Sequence, residues 1–364
     1  MYTRNKTRKI AIGNVTIGGG SPVLIQSMAN TNTRDARATI RQIRQLEDAG
    51  CEIARVAVPD MESARNLGRI KTGIHIPLVA DIHFDHRLAL EAISQGVDKL
   101  RINPGNIGSR DKVAAVVKEA KAARIPIRIG VNAGSLKTVN SGRHADSIAV
   151  RAKKLVEAAM EHVRILESFH FYDTVISLKA SDVGTTVEAY RLLAKKRDYP
   201  LHLGITEAGS MFRGTIKSSA GLGILLYDGL GDTIRVSLTA DPVEEIHVAY
   251  HLMQSLGLRS TGVELISCPT CSRCEVDLIG IVNELEKKLS AAGTLAHVFA
   301  KKPLKVAVMG CVVNGPGEAR ESDLGIAGGK KKGLLFERGK VIGEVAPDQW
   351  VKTLMKMITK RAKQ

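Results

Sequence analysis

Between residues 23 and 257 the chain alternates short β-branched runs with longer amphipathic segments, and this rhythm limits its fold more than any other feature. The strand-like runs are Val23–Met28, Ile53–Val58, Leu78–Phe84, Lys99–Asn103, Ile127–Asn132, Thr174–Lys179, Leu201–Thr206 and Thr233–Leu238. Helical patterns fall at 33–49, 61–72, 86–96, 109–123, 147–168, 182–197, 213–227 and 242–257. In the segment 147–168, for instance, Ile148, Leu155, Ala159, Val163 and Leu166 recur at helical spacing. Eight strand–helix units in about 240 residues argue for a TIM (β/α)8 barrel, with a doubly wound open sheet as the alternative. Ahead of them, residues 8–20 alternate about Gly13-Asn14 and read as a short hairpin.

Barrel strands turn alternate side chains inward. Placing Val56 and Val58 outward turns Arg55 inward. The same alternation brings Arg101 and Asn103, Arg128 and Asn132, Ser177 and Lys179, Arg235 and Ser237, and Asp81 and His83 to the interior. Glu207 closes the seventh strand, where register alone leaves its direction open. Five cations on five strands therefore face inward, with Asp81 and at most Glu207 as internal acids. Buried charges of one sign need counter-ions, and a diphosphate ligand fits cations of this number. The turns Asn103–Ser109 and Asn132–Ser135 lead into helix starts, a place suited to phosphate oxygens.

The 364-residue chain carries 53 basic and 37 acidic residues, a net charge of +16. That balance fits an anionic small molecule or an acidic protein partner. Aromatic residues make up only 4%, and zinc-finger, RRM or OB signatures are missing, which argues against nucleic acid. Neither a membrane-spanning apolar run nor the apolar core of a signal peptide is seen, and the cysteines read as ligands rather than a secreted disulfide framework, so a reducing cytoplasm is expected.

The strand–helix pattern fades near Ser260-Thr261, giving an expected barrel domain over 1–260 and a smaller α/β domain over 261–364. Four of the five cysteines lie in the second part, in Ser267-Cys268-Pro269-Thr270-Cys271-Ser272-Arg273-Cys274 and in Gly310-Cys311-Val312-Val313-Asn314-Gly315-Pro316-Gly317-Glu318. Thiolates clustered in this way suit zinc or an iron–sulfur centre. Cys268, Cys271 and Cys311 supply three ligands. The fourth is either Cys274, closing an all-thiolate site, or Glu318, leaving an exchangeable oxygen ligand on one iron. Cys51 reads as a buried hydrophobe, and Lys330-Lys331-Lys332 as a solvated turn.

These cysteine segments, with Val23–Met28, Val79–Phe84, Leu100–Gly108 and His202–Gly209, resemble the bacterial 4-hydroxy-3-methylbut-2-en-1-yl diphosphate synthases of the non-mevalonate isoprenoid pathway. The resemblance runs along essentially the whole chain. It implies a TIM barrel joined to an iron–sulfur domain similar to those of nitrite and sulfite reductases. It implies a [4Fe-4S] cluster on Cys268, Cys271, Cys311 and Glu318, which leaves Cys274 surplus to the family pattern. The implied reaction is a two-electron ring opening and dehydroxylation of 2-C-methyl-D-erythritol 2,4-cyclodiphosphate, driven by flavodoxin or ferredoxin. Arg55, Arg101, Asn103, Arg128, Asn132, Lys179, Arg235 and Ser237 match the family's substrate-binding positions, with Asp81 and His83 beside them. Glu207, Asn314 and Glu318 match positions close to the chemistry. The family also implies a homodimer in which the cluster domain of one chain caps the barrel of the other. Two other readings stay open on the residues alone. One is a barrel for phosphorylated or pterin-like substrates with a structural zinc domain. The other is a basic RNA-binding module with a four-cysteine zinc site.

Overall fold

The computed structural model describes residues 3–135, 146–259, 262–291, 303–311, 317 and 321–363. The chain separates into two compact units, Met1–Leu256 and Gly257–Gln364.

The first unit opens with an antiparallel hairpin, β1 (Ile10–Ile12) and β2 (Val15–Ile17), turned at Gly13. Eight parallel strands follow: β3 (Leu24–Met28), β4 (Ile53–Ala57), β5 (Leu78–Asp81), β6 (Lys99–Arg101), β7 (Ile127–Asn132), β8 (Thr174–Lys179), β9 (His202–Leu203) and β10 (Thr233–Ile234). They form one sheet in the order β8-β7-β6-β5-β4-β3-β10-β9, and a parallel bridge from Ile176 to Leu201 joins its two ends. The expected barrel is thus present. Its helices are α1 (Ala36–Asp48), α2 (Met61–Arg65), α3 (Leu67–Thr72), α4 (His86–Ser94), α5 (Arg110–Ala122), α6 (Ile148–Ser168), α7 (Val183–Ala194), α8 (Met211–Tyr227) and α9 (Pro242–Ser255). Aspartates cap several of their starts. Asp35, Asp85, Asp182 and Asp241 each accept a hydrogen bond from a backbone N–H of the first turn.

Several expectations needed adjustment. The strands expected over Leu78–Phe84 and Lys99–Asn103 end at Asp81 and Arg101. The single helix over 61–72 is two short ones meeting at Asn66, whose side-chain amide donates to the Arg34 carbonyl at 2.8 Å. The strands expected over 201–206 and 233–238 have regular ladders of only two residues each. The β9 ladder stops at Gly204, where the Lys179 ammonium packs onto the bare backbone. A Cβ on Gly204 would stand 2.5 Å from Lys179 Nζ.

The hairpin gives the barrel its polarity. Ile10, Ile12 and Ile17 pack on Leu24, Ile53, Val79 and Val175, which lie at or next to the first residues of their strands. This apolar plug closes the N-terminal end, each fully buried side chain contributing about 1.5–3 kcal/mol. A polar interior is left open only toward the C-terminal strand ends, where such barrels hold their sites.

The second unit is a five-stranded sheet in the order β11 (Val263–Ser267), β12 (Leu304–Met309), β13 (Leu324–Gly328), β14 (Gly333–Glu337) and β15 (Lys340–Val345). The first three strands are parallel and the last two antiparallel. Helices α10 (Leu278–Ala291) and α11 (Trp350–Ala362) share a core with the sheet, built from Leu278, Leu285, Val306, Ile326, Trp350 and Leu354. Trp350 is fully buried, and its indole N–H donates to the Val345 carbonyl at 3.2 Å. Trp350→Ala is expected to cost this unit about 3–5 kcal/mol. Chemical denaturation should show the loss in this unit's transition, with the barrel's transition unmoved.

Candidate functional site

Above the plug, the barrel interior is cationic. Arg55, Lys99, Arg101, Arg128 and Lys179 are all buried, and Arg235 is nearly so. Among the described residues the ion pairs of these six run to two carboxylates. Asp81 takes Arg101 at 3.1 Å and Arg55 at 3.7 Å, and Glu245 takes Arg235 at 3.4 Å. Glu245 lies in the first turn of α9. It also accepts from the Ser27 hydroxyl at 3.0 Å and the Leu238 N–H at 3.0 Å.

The two strands β6 and β7 hold the centre of the site through Gly130. Its carbonyl accepts from Arg101 Nη2 and from Asn103 Nδ2, both at 2.9 Å, and its N–H donates to Asn103 Oδ1 at 3.0 Å. A Cβ here would stand 2.7 Å from Arg101 Nε, so only glycine lets the guanidinium cross this strand. Met28 Sδ lies 2.8 Å from Arg55 Nη2 and 3.7 Å from Arg235 Nη1, a weak acceptor for two strong donors. Arg128 is poorly compensated. It is 1% exposed, and its Nε and Nη1 have no hydrogen-bond partner among the described residues. An orphaned buried donor costs about 1–3 kcal/mol, more when charged.

The electrostatics follow this imbalance. Burial, then Arg55 and Arg101, push the Arg128 guanidinium well below its usual range. Burial and Arg235 bring Arg55 down to about 10. Lys179 and Lys99 are lowered well below the ordinary lysine value by burial and by the surrounding arginines. Burial alone would raise Asp81, but Arg55, Arg101 and Arg128 outweigh it and hold the carboxyl below its usual value. Buried His202 is held neutral by desolvation and by Arg128, Lys179 and Lys99. Its Nδ1 lies 2.8 Å from Thr233 Oγ1.

The remaining expected residues lie toward the mouth. Ser177 is buried on β8, whereas Asn132 and Ser237 are half-buried at or beyond the strand ends. His83 is exposed past the end of β5, with its ring nitrogens 3.2 and 3.3 Å from Arg101 Nη1. Glu207 is exposed, and its backbone adopts the left-handed conformation at φ 52°. Its carbonyl, 3.5 Å from Lys217 Nζ, accepts a long hydrogen bond. Lys99 and Glu245 are the residues that the strand reading passed over. Lys99 is two positions before Arg101, so the alternation that turns one inward turns both. Nothing in the local sequence marks Glu245 as an inward acid.

In the second unit the parallel pairing of β11 with β12 carries Cys268 and Cys311 to one sheet edge, because Ser267 is in register with Val308. The Gly310 N–H donates to Cys268 Sγ at 3.4 Å. Cys271 is exposed, and the Arg273 N–H and side chain, with the Cys274 N–H, hold its thiol below the usual range. Cys274 is half-buried against the core, its thiol donating to the Val276 carbonyl at 3.4 Å and lying beside Gly310, where a Cβ would stand 2.4 Å from its Sγ. None of the five cysteines is in a disulfide. Burial raises the Cys51 thiol to about 12, as befits an inert core residue. Asn314 and Glu318 lie outside the described residues. Among the described residues no three ligating side chains converge on one point. The donors themselves fit a soft centre: sulfur ligands on one edge, one accepting a backbone N–H and one with raised thiolate character.

A plugged (β/α)8 barrel with a cationic interior, followed by a thiol-bearing α/β unit, defines a two-domain barrel protein. The barrel is similar to dihydropteroate synthase from Stenotrophomonas maltophilia (TM-score 0.51, 13% identity, 69% of this chain and 98% of that one). A complex of the Xanthomonas albilineans enzyme with 6-chloroguanine is comparably similar (TM-score 0.50, 13% identity, 69% and 98%). At these identities the likeness is one of fold alone. Residues 7–250 match the GcpE TIM-barrel domain and residues 264–360 the GcpE protein C-terminal domain, and the chain belongs to the GcpE family. Relatives named 4-hydroxy-3-methylbut-2-en-1-yl diphosphate synthase (flavodoxin) occur in Anoxybacillus flavithermus, with 54% identity over 99% of this chain and 96% of that one, and in Bacillus cytotoxicus, with 55% identity over 98% and 94%.

Lys99 sits among like charges, and its hydrogen-bond partner among the described residues is Gln26 Oε1, at 3.4 Å. Its depressed pKa means that the folded barrel binds fewer protons than the unfolded chain. Stability should therefore rise with pH toward about 10, the ordinary lysine value. Lys99→Met is expected to raise the urea midpoint at pH 7 and to flatten this slope. Midpoints measured between pH 7 and 10 check both effects.

Proposed function

We propose that this protein converts 2-C-methyl-D-erythritol 2,4-cyclodiphosphate to 4-hydroxy-3-methylbut-2-en-1-yl diphosphate by two-electron reduction, with flavodoxin or ferredoxin as donor. The observation that carries this reading is the surplus of buried cations, above all Arg128 with two unpartnered nitrogens. A cyclic diphosphate brings the missing negative charge and accepts hydrogen bonds in forked geometry. Family membership and the relatives' names support the same substrate class.

Arg128, Arg101, Arg55, Lys179 and Arg235 grip the diphosphate, with Asn103, Asn132 and Ser237 orienting it from the strand ends. Asp81 pairs with Arg55 and Arg101 and aims them, and His83 supports Arg101 at the rim. Glu207, on a strained backbone at the mouth, is the proton donor or positioning group. Cys268, Cys271 and Cys311, with Glu318, would hold a [4Fe-4S] cluster. When bound, it supplies single electrons and a Lewis-acidic iron. Cys274, held by Val276, stands outside that ligand set. Asn314 serves the cluster loop.

The stripe of exposed Phe212, Ile216 and Tyr227 on α8 supports a homodimer. In it the cysteine domain of one chain closes the barrel of the other. A reducing cytoplasm suits thiols kept as metal ligands.

Anaerobically purified protein is expected to contain about four irons and four sulfides per chain, by metal and sulfide analysis. It should turn over the cyclic diphosphate with reduced flavodoxin. Stoichiometric zinc without sulfide would favour the structural-zinc reading instead. Arg128→Ala is expected to weaken binding of the cyclic diphosphate about 10- to 100-fold, the loss of one or two charge-assisted hydrogen bonds. Calorimetric titration measures this loss, and the visible spectrum should stay that of the unaltered cluster. Glu318→Ala should change the spectroscopic signature of one iron and leave substrate affinity largely intact.

A further inference from the structure

Three parallel strands of the second unit end at one edge of its sheet. β11 ends at Ser267, one residue before Cys268. β12 ends at Met309, followed by Gly310 and Cys311. β13 ends at Gly328, followed by Gly329 and the run Lys330-Lys331-Lys332. Parallel pairing alone therefore sets the lysine turn beside the thiols.

Hydrogen bonds fix the neighbourhood. Gly310 N–H donates to Cys268 Sγ, Glu275 N–H donates to the Gly310 carbonyl at 3.3 Å, and Lys330 N–H donates to Glu275 Oε2 at 3.3 Å. A chain of short contacts thus runs from the first cysteine to the lysine turn. All three lysines are exposed. Lys332 is paired with Glu344 at 2.7 Å, whereas Lys330 and Lys331 form no ion pair among the described residues. Arg273, also exposed, stands next to Cys271. Among the described residues, the acid hydrogen-bonded to this turn is Glu275, which accepts from the Lys330 N–H. Uncompensated charge at an exposed edge adds little to stability, but it steers an oppositely charged partner.

We propose that this lysine-bearing rim is the docking face for an acidic electron-transfer protein, with Lys330, Lys331 and Arg273 as its positive contacts. The proposal rests on the reading of this domain as the carrier of the cluster. Each docking event passes one electron from the partner's reduced cofactor to this edge, so two reduced partners are oxidised for each substrate reduced. A turn at the thiol edge shortens the electron's path in a way that a basic patch elsewhere does not. The C-terminal part of α11 is such a patch. Lys360 and Lys363 are exposed there, but Arg361 pairs with Glu337, at the opposite end of β14 from the lysine turn.

The test compares Lys330→Glu/Lys331→Glu with Lys360→Glu/Lys363→Glu in anaerobic, cluster-loaded enzyme, using flavodoxin as the probe. For the first variant the Kd for flavodoxin at low ionic strength should rise about tenfold or more, and the salt dependence of binding should flatten. Its turnover with dithionite, a small reductant that needs no docking face, should match the wild type. The second variant should bind and turn over as the wild type does. Unchanged flavodoxin affinity in the first variant overturns the proposal. So does a loss of dithionite-driven turnover equal to the loss with flavodoxin, because the turn would then serve another step. Wild-type enzyme that neither binds flavodoxin nor turns over with dithionite would overturn both the proposal and the functional reading beneath it.

Discussion

Like charges confined in one barrel interior are the constraint around which this molecule is arranged. Arg55, Lys99, Arg101, Arg128, Lys179 and Arg235 repel one another in a medium that screens them poorly, and Asp81 and Glu245 answer only part of the charge. The fold tolerates this because the cost is confined to one layer. Below it the Ile10, Ile12 and Ile17 plug makes an apolar floor. Around it the outward faces of the strands pack under the helices. The strain is local and opens in one direction, toward the strand ends where a ligand enters. A site held in this way is preorganised for an anion before any arrives, so little of the binding energy is spent on rearrangement.

Much of this was legible in the chain. The strand–helix period gave the barrel, because alternating β-branched runs and amphipathic helices have few other ways to bury both faces. Strand alternation found Arg101, Arg128 and Lys179, because a side chain's direction in a barrel is set by parity. Its reach ends with the ladders. It turned His83 and Ser237 inward, but both lie past the regular strands, His83 exposed and Ser237 half-buried at the mouth, and it left the direction of Glu207 open; there local backbone geometry decides what faces the mouth. Glu245 reaches the site from a helix, and helical spacing carries no information about which barrel residue it meets. Lys99 obeys the parity rule, but it sits so deep that it reads first as the opening residue of a strand.

The second unit shows the same division. Cysteine spacing pointed to a soft metal site, and the parallel register of β11 and β12 supplies the reason two distant segments share an edge. The choice between Cys274 and a carboxylate as fourth ligand was not decided by spacing. The described structure bears on it through the place of the Cys274 thiol, which donates to Val276 and lies beside Gly310. The lysine turn reads from sequence as an ordinary solvated hairpin. Only the sheet order sets it beside the cysteines.

The most direct test of the account is calorimetric titration of the wild-type protein with the cyclic diphosphate, repeated in buffers of different ionisation enthalpy. An anion entering among groups whose pKa values are depressed should raise them again. The account predicts saturable binding with one ligand per chain and a net uptake of protons near pH 8. Absence of binding, or binding with release of protons, would contradict the claim that this interior is built to receive a diphosphate.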